Sequence, residues 1–137
     1  MNYQINSHKP NHKFKPEESL FILSRGNNSG KVLAQSCPNC FRITASPKDI
    51  PLIKAAAIII FEGKTVRRRL IGSVINFIRI GDYKELLDMS LEKIQSSSNL
   101  DIIIARFNKT DELVEITQKK VKLLKQYKVA VANEILK

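Results

Sequence analysis

Acidic side chains are scarce in this chain. Thirteen Asp and Glu stand against 23 Lys and Arg in 137 residues, a formal net charge of +10. A soluble chain with that imbalance usually has an anionic partner, nucleic acid first and a membrane surface second. Long apolar runs are also missing. The longest is Ala55 to Phe61, far short of the roughly 18 residues that suggest a transmembrane helix. The opening MNYQINSHKPNHKFKP has no apolar core and does not read as a signal peptide, so a cytoplasmic protein is expected. Cysteine is limited to Cys37 and Cys40, which form no disulfide framework and fit a reducing compartment. Histidine is limited to His8 and His12, both in the polar lead-in. No Ser-His-Asp or paired-carboxylate arrangement can be assembled, and no G-x-G loop or Asn-Pro-Pro-Tyr-like methyl-transfer motif is present. The expectation is a protein that is not an enzyme and carries no cofactor. Its 43% hydrophobic and 26% charged residues are those of a globular chain, with room for one modest domain and a long helix.

Residues 1–18 read as a polar arm or an irregular lead-in. Leu20-Phe21-Ile22-Leu23 predicts a strand running into the turn-rich loop Ser24 to Lys31, with Val32-Leu33-Ala34 returning as a second strand. Cys37 to Cys40 predicts a tight turn, and Phe41-Arg42-Ile43-Thr44 alternates like a strand. A helix is expected from Pro47 into Phe61, with Ser46 as N-cap and Asp49 in its first turn, unless Pro51 shifts the start. Val74 to Ile80 reads as another strand, then a short helix capped by Asp82 covers Gly81 to Leu87, and Ser96-Ser97-Ser98 is a linker.

No Gly or Pro follows residue 81, so nothing interrupts a helix from about 99 to 136. Leu100, Ile103, Phe107, Thr110, Val114, Thr117, Val121, Leu124, Lys128, Val131 and Ile135 step by threes and fours, the 3.5-residue repeat of a coiled coil. Burial of Ile103, Phe107, Val114, Val121, Leu124, Val131 and Ile135 against a second copy predicts a homodimer; packing on the chain's own domain is the alternative.

Arg25-Gly26-Asn27-Asn28-Ser29-Gly30-Lys31 only superficially resembles a nucleotide-phosphate loop. Gly26 and Gly30 are one residue too close for G-x-x-x-x-G-K, and Val32 replaces the needed hydroxyl, so nucleotide hydrolysis is rejected. The same residue types suit DNA. Arg25 can pair with guanine, Asn27 or Asn28 with adenine, and Ser29 and Lys31 with phosphates. An ordinary hairpin turn would use the same glycines. Arg67-Arg68-Arg69 and Arg79 add phosphate-contact candidates, against the alternative of a solvated helix end. Cys37-Pro38-Asn39-Cys40 has the spacing of one half of a zinc site, and His8 and His12 could complete four ligands; a turn with two free thiols, and no metal, is the preferred expectation.

Three segments together resemble the target-recognition domain of type I restriction–modification specificity subunits. They are Phe21 to Lys31, with its apolar strand followed by Ser-Arg-Gly and Gly-Lys; Gly72 to Leu86, with Gly-Ser, an apolar pair, a short strand and an acidic helix start; and Arg106 to Lys128, similar to the family's spacer helix. The resemblance spans about residues 20–137 in the family's order. It implies a non-catalytic DNA-reading subunit whose recognition domains are held apart by antiparallel helices and clamped by methyltransferase subunits. With one recognition unit and one helix, the chain looks like half such a subunit. The reading is therefore an α+β recognition-like domain at 1–95 and a dimerising helix at 96–137. The expected partners are double-stranded DNA, a second copy, and DNA methyltransferase and restriction subunits, with no membrane. The rivals are a protein-interaction module or decoy that engages those subunits through its helix, and a small zinc-stabilised structural protein.

Overall fold

The computed structural model describes residues 1–9, 11 and 13–136, with the side chain of Leu100 outside the description. The chain is α+β and divides into two compact units, Met1–Ser98 and Asn99–Lys137.

In the first unit, four antiparallel strands form a sheet in the order β1-β4-β2-β3: β1 (Tyr3–Ser7), β2 (Ser19–Leu23), β3 (Val32–Leu33) and β4 (Cys40–Ala45). Pairing of Leu20 with Ile43 and of Ile22 with Phe41 places these four side chains on one face, and all four are buried. That face carries α1 (Ile50–Glu62) and α2 (Ile80–Gln95). Helix α1 buries Ile53, Ala56, Ala57 and Ile60, the i, i+3, i+4, i+7 stripe of a core-facing helix. Helix α2 buries Tyr83, Leu87, Leu91 and Ile94, and the Tyr83 ring sits 6.1 Å from that of Phe41. Burying each such large side chain contributes roughly 1.5–3 kcal/mol. On the opposite face, Phe21 is covered by His8 and Phe14, whose ring centroids lie 5.2 and 5.0 Å away in edge-on geometry.

Several expectations are corrected here. The lead-in is not all irregular: Tyr3–Ser7 pairs with β4 along its length, and the Tyr3 hydroxyl donates to Asp88 Oδ1 of α2 at 2.6 Å. Its single aliphatic residue, Ile5, sits opposite Ile43, too little apolar signal to mark a strand in sequence. Helix α1 begins at Ile50 and not at Pro47, because Pro51 takes an early-turn position where its missing N–H costs nothing. Ser46 does not cap it by side chain; its hydroxyl donates to Asp49 Oδ2 at 2.9 Å. The segment Val74 to Ile80 is not a strand. Gly72 takes φ +110°, and Ile71 and Phe77 close a tight loop by exchanging two backbone hydrogen bonds at 2.9 and 2.8 Å, leaving Val74 and Ile75 outside. Helix α2 is longer than expected, because its apolar stripe continues to Ile94, and Asp82 lies inside its first turn and does not cap it by side chain.

The second unit is α3 (Leu100–Ile135), 36 residues, spanning about 54 Å at 1.5 Å per residue. No helix among the described residues is long and apolar enough to cross a membrane.

Candidate nucleic-acid interface

The loop after β2 is a closed turn. Leu23 and Lys31 flank it with a backbone bond of 2.9 Å, the Gly30 N–H donates to Leu23 O at 2.7 Å, and the Ser29 N–H donates to Gly26 O at 3.1 Å. Gly26 and Gly30 both hold φ +92°, a conformation in which a side chain is strained. Asn27, Asn28 and Lys31 project from this turn and are exposed. Ser29 does not. It is buried, and its hydroxyl donates to Gly26 O at 2.7 Å, so it braces the turn and the phosphate role expected of it is withdrawn.

Two distant segments are tied to this turn. Gly30 sits directly against Val66, the residue before the arginine run. Arg25 bridges to Phe77, the Gly26 N–H donates to Asn76 O at 2.7 Å, and the Ile78 N–H donates to Ser24 O at 3.1 Å. Arg25 and Arg79 consequently line one open cleft of about 350 Å³, together with Ser24, Phe77 and Ile80. Helix α2 starts at Ile80 in that wall and adds the positive end of its dipole. Arg25 and Arg79 thus share one cleft although 54 positions separate them, and the exposed Arg67 and Arg68 follow the Val66 that packs on Gly30.

The three consecutive arginines are not equivalent. They form a short 3-10 helix, Thr65–Arg69, preceded by Lys64 in a left-handed conformation at φ 57°. Arg67 and Arg68 are exposed. Arg69 is engaged: its Nη1 and Nη2 donate to the two carboxylate oxygens of Glu85 at 2.8 and 3.2 Å. That two-point contact raises the Arg69 guanidinium and lowers the Glu85 carboxyl from their ordinary values. Arg69 is therefore paired with α2 through a part-exposed ion pair.

The two cysteines are free. The Cys40 thiol donates to Cys37 O at 2.9 Å, and burial pushes its pKa up. Among the described residues no group of three or more His, Cys, Asp and Glu is placed to hold a metal ion, and His12 lies outside the described residues.

Along α3 the expected seam is surface. Val114, Val121, Leu124 and Ile135 are exposed, while Ile103, Phe107 and Val131 are half-buried. Thr110 and Thr117 each satisfy their hydroxyl within the helix, donating to Arg106 O and Leu113 O at 2.8 Å. The apolar surface is wider than the 3.5-residue stepping implies, since Ile102, Leu113, Ile116, Leu123 and Tyr127 are exposed beside the seam.

The first unit is thus an α+β domain with a cleft lined by Arg25 and Arg79, and the second a helix with exposed apolar side chains. Residues 5–134 match the family of unknown function DUF6943, and the chain belongs to that family. No curated protein matches the chain, and no solved structure does.

Proposed function

We propose that the protein binds double-stranded DNA without catalysis, as a half-specificity subunit similar to those of type I restriction–modification systems, and that two copies pair through α3. The observation that carries this reading is the cleft shared by Arg25 and Arg79 beside the turn that exposes Asn27, Asn28 and Lys31. Cations at that cleft neutralise phosphates, and amides beside it can read base edges. The proposal takes the protein to be cytoplasmic, with no cofactor and no membrane partner. The test is duplex binding as a function of salt. Affinity falls steeply with salt, and Arg67→Ala with Arg68→Ala reduces the log–log slope by about one per lost contact. A folded chain that binds no duplex at low salt refutes the reading.

A second reading draws on α3. Its exposed apolar surface suits a module or decoy that engages methyltransferase or restriction subunits and needs no DNA. Complex formation with such subunits that persists at high salt, without duplex binding, favours this alternative.

A further inference from the structure

We infer that the loop Gly72–Asn76 is an apolar wedge that enters duplex DNA and bends it; this rests on the DNA-binding reading and adds a contact to it. Val74 is 93% exposed and Ile75 61% exposed, the two most exposed large apolar side chains of the first unit. They stand together at the tip of a loop whose base is fixed. Ile71 and Phe77 close it with two backbone hydrogen bonds, and Asn76 O accepts the Gly26 N–H at 2.7 Å. Gly72 turns at φ +110°, where an added Cβ would collide with Ile75 O. A loop held this firmly keeps two aliphatic groups in water, where burial against something apolar would favour it.

The surroundings say what that something is. The loop base is tied to the turn carrying Arg25, and Arg25 and Arg79 share the adjoining cleft. The occupant must be anionic outside and apolar within. Stacked base pairs behind a phosphate backbone meet both conditions, and branched aliphatic wedges flanked by basic and amide side chains are a known means of unstacking a base step, with bends of about 20–90°. Val74 and Ile75 are also stiff at χ1, which suits a wedge. An anionic membrane surface has the same polarity, but interfacial anchors rely on aromatic and broad amphipathic surface, and this tip has two short side chains on one tight loop.

The experiment uses the full chain, short duplexes with a fluorescent donor and acceptor at their ends, and duplexes carrying 2-aminopurine. Wild-type protein raises energy transfer and 2-aminopurine emission, reporting bending and unstacking. Val74→Ser with Ile75→Ser leaves the circular dichroism spectrum and the salt slope in place, abolishes both signals and weakens binding several-fold. Ile75→Leu retains them. Binding without any bending or unstacking, or signals that survive the double substitution, overturns the wedge and leaves the DNA-binding reading standing. Failure to bind any duplex at low salt overturns both. Phosphatidylserine vesicles serve as the competing probe: vesicle binding that depends on Val74 and Ile75, without duplex bending, assigns the tip to a membrane and overturns the wedge.

Discussion

Gly30 lies against Val66 so closely that a Cβ on residue 30 would stand 2.6 Å from Val66 Cγ2. That contact couples the Arg25–Lys31 turn to the arginine helix. Gly30 also holds φ +92°, as does Gly26, but nothing lies within 4 Å of a Cβ built on Gly26. The two glycines therefore separate backbone strain from steric overlap. Gly26→Ala is expected to destabilise by roughly 1 kcal/mol through the positive φ alone. Gly30→Ala is expected to cost more, about 2–4 kcal/mol, because overpacking against Val66 adds to the strain. Urea unfolding of the two variants measures the difference; equal losses refute the coupling.

Glu85 restrains a basic residue that the DNA-binding reading could otherwise use. Its carboxylate holds Arg69 by two hydrogen bonds, and Glu85→Gln removes the charge while keeping the shape. With Arg69 released toward phosphate, duplex affinity at low salt is expected to rise and the salt slope to steepen by about one contact. A parallel titration of wild type and variant checks this. An unchanged slope means that Arg69 lies out of reach of the backbone.

Tyr83 is fully buried and its hydroxyl has no partner among the described residues. An unmatched buried hydroxyl costs about 1–3 kcal/mol, so Tyr83→Phe is expected to stabilise the protein by about 1 kcal/mol and raise its melting temperature. Burial raises the pKa of both Tyr83 and Tyr3, and for Tyr3 the Asp88 carboxylate raises it further. The sign follows. The folded state keeps both phenols protonated to a higher pH than the unfolded chain does. Their contribution is complete below the unfolded tyrosine pKa of about 10 and is lost as pH rises through the folded values. Stability measured from pH 8 to 11 should fall at the alkaline end, and Tyr83→Phe should flatten that fall.

Local chemistry made much of the fold legible and left the site scattered. Leu20 to Leu23 and Phe41 to Thr44 announced strands by composition and alternation, and the absence of Gly and Pro after residue 81 announced the last helix. The edge strand Tyr3–Ser7 was hidden because its identity comes from pairing with β4 and not from its own residues. Val74 to Ile80 misled for the opposite reason: it has strand composition, but Gly72 and the Ile71–Phe77 closure turn it into a loop. Among site residues, Arg67 and Arg69 look identical in sequence, and only the packing of α2 separates an exposed cation from one held by Glu85. Ser29 likewise looked available until its hydroxyl closed on Gly26 O. That Arg25 and Arg79 share a cleft depends on the Arg25–Phe77 bridge, a tertiary contact with no local signature.

The last prediction concerns assembly through α3. Val114, Val121, Leu124 and Ile135 are exposed on a helix about 54 Å long, and burying such side chains is worth roughly 1.5–3 kcal/mol each, enough to offset a substantial association cost. Thr110 and Thr117 do not oppose burial in that seam, since each hydroxyl is already bonded to the carbonyl four residues back. Charge selects the orientation. Asp101, Asp111, Glu112 and Glu115 outnumber Arg106 and Lys109 in the first half, whereas Lys119, Lys120, Lys122, Lys125 and Lys128 face only Glu134 in the second. Parallel helices set lysine beside lysine; antiparallel helices set the acidic half beside the basic half. An antiparallel homodimer is therefore expected, and light scattering at micromolar concentration checks it, a monomer being the adverse result. Val121→Asp with Leu124→Asp should dissociate the dimer while the first unit keeps its fold. Duplex affinity should fall with it, because two linked half-sites become one. Salt supplies the last discrimination: a dimer held mainly by the apolar seam persists at high salt, where its DNA contacts are lost.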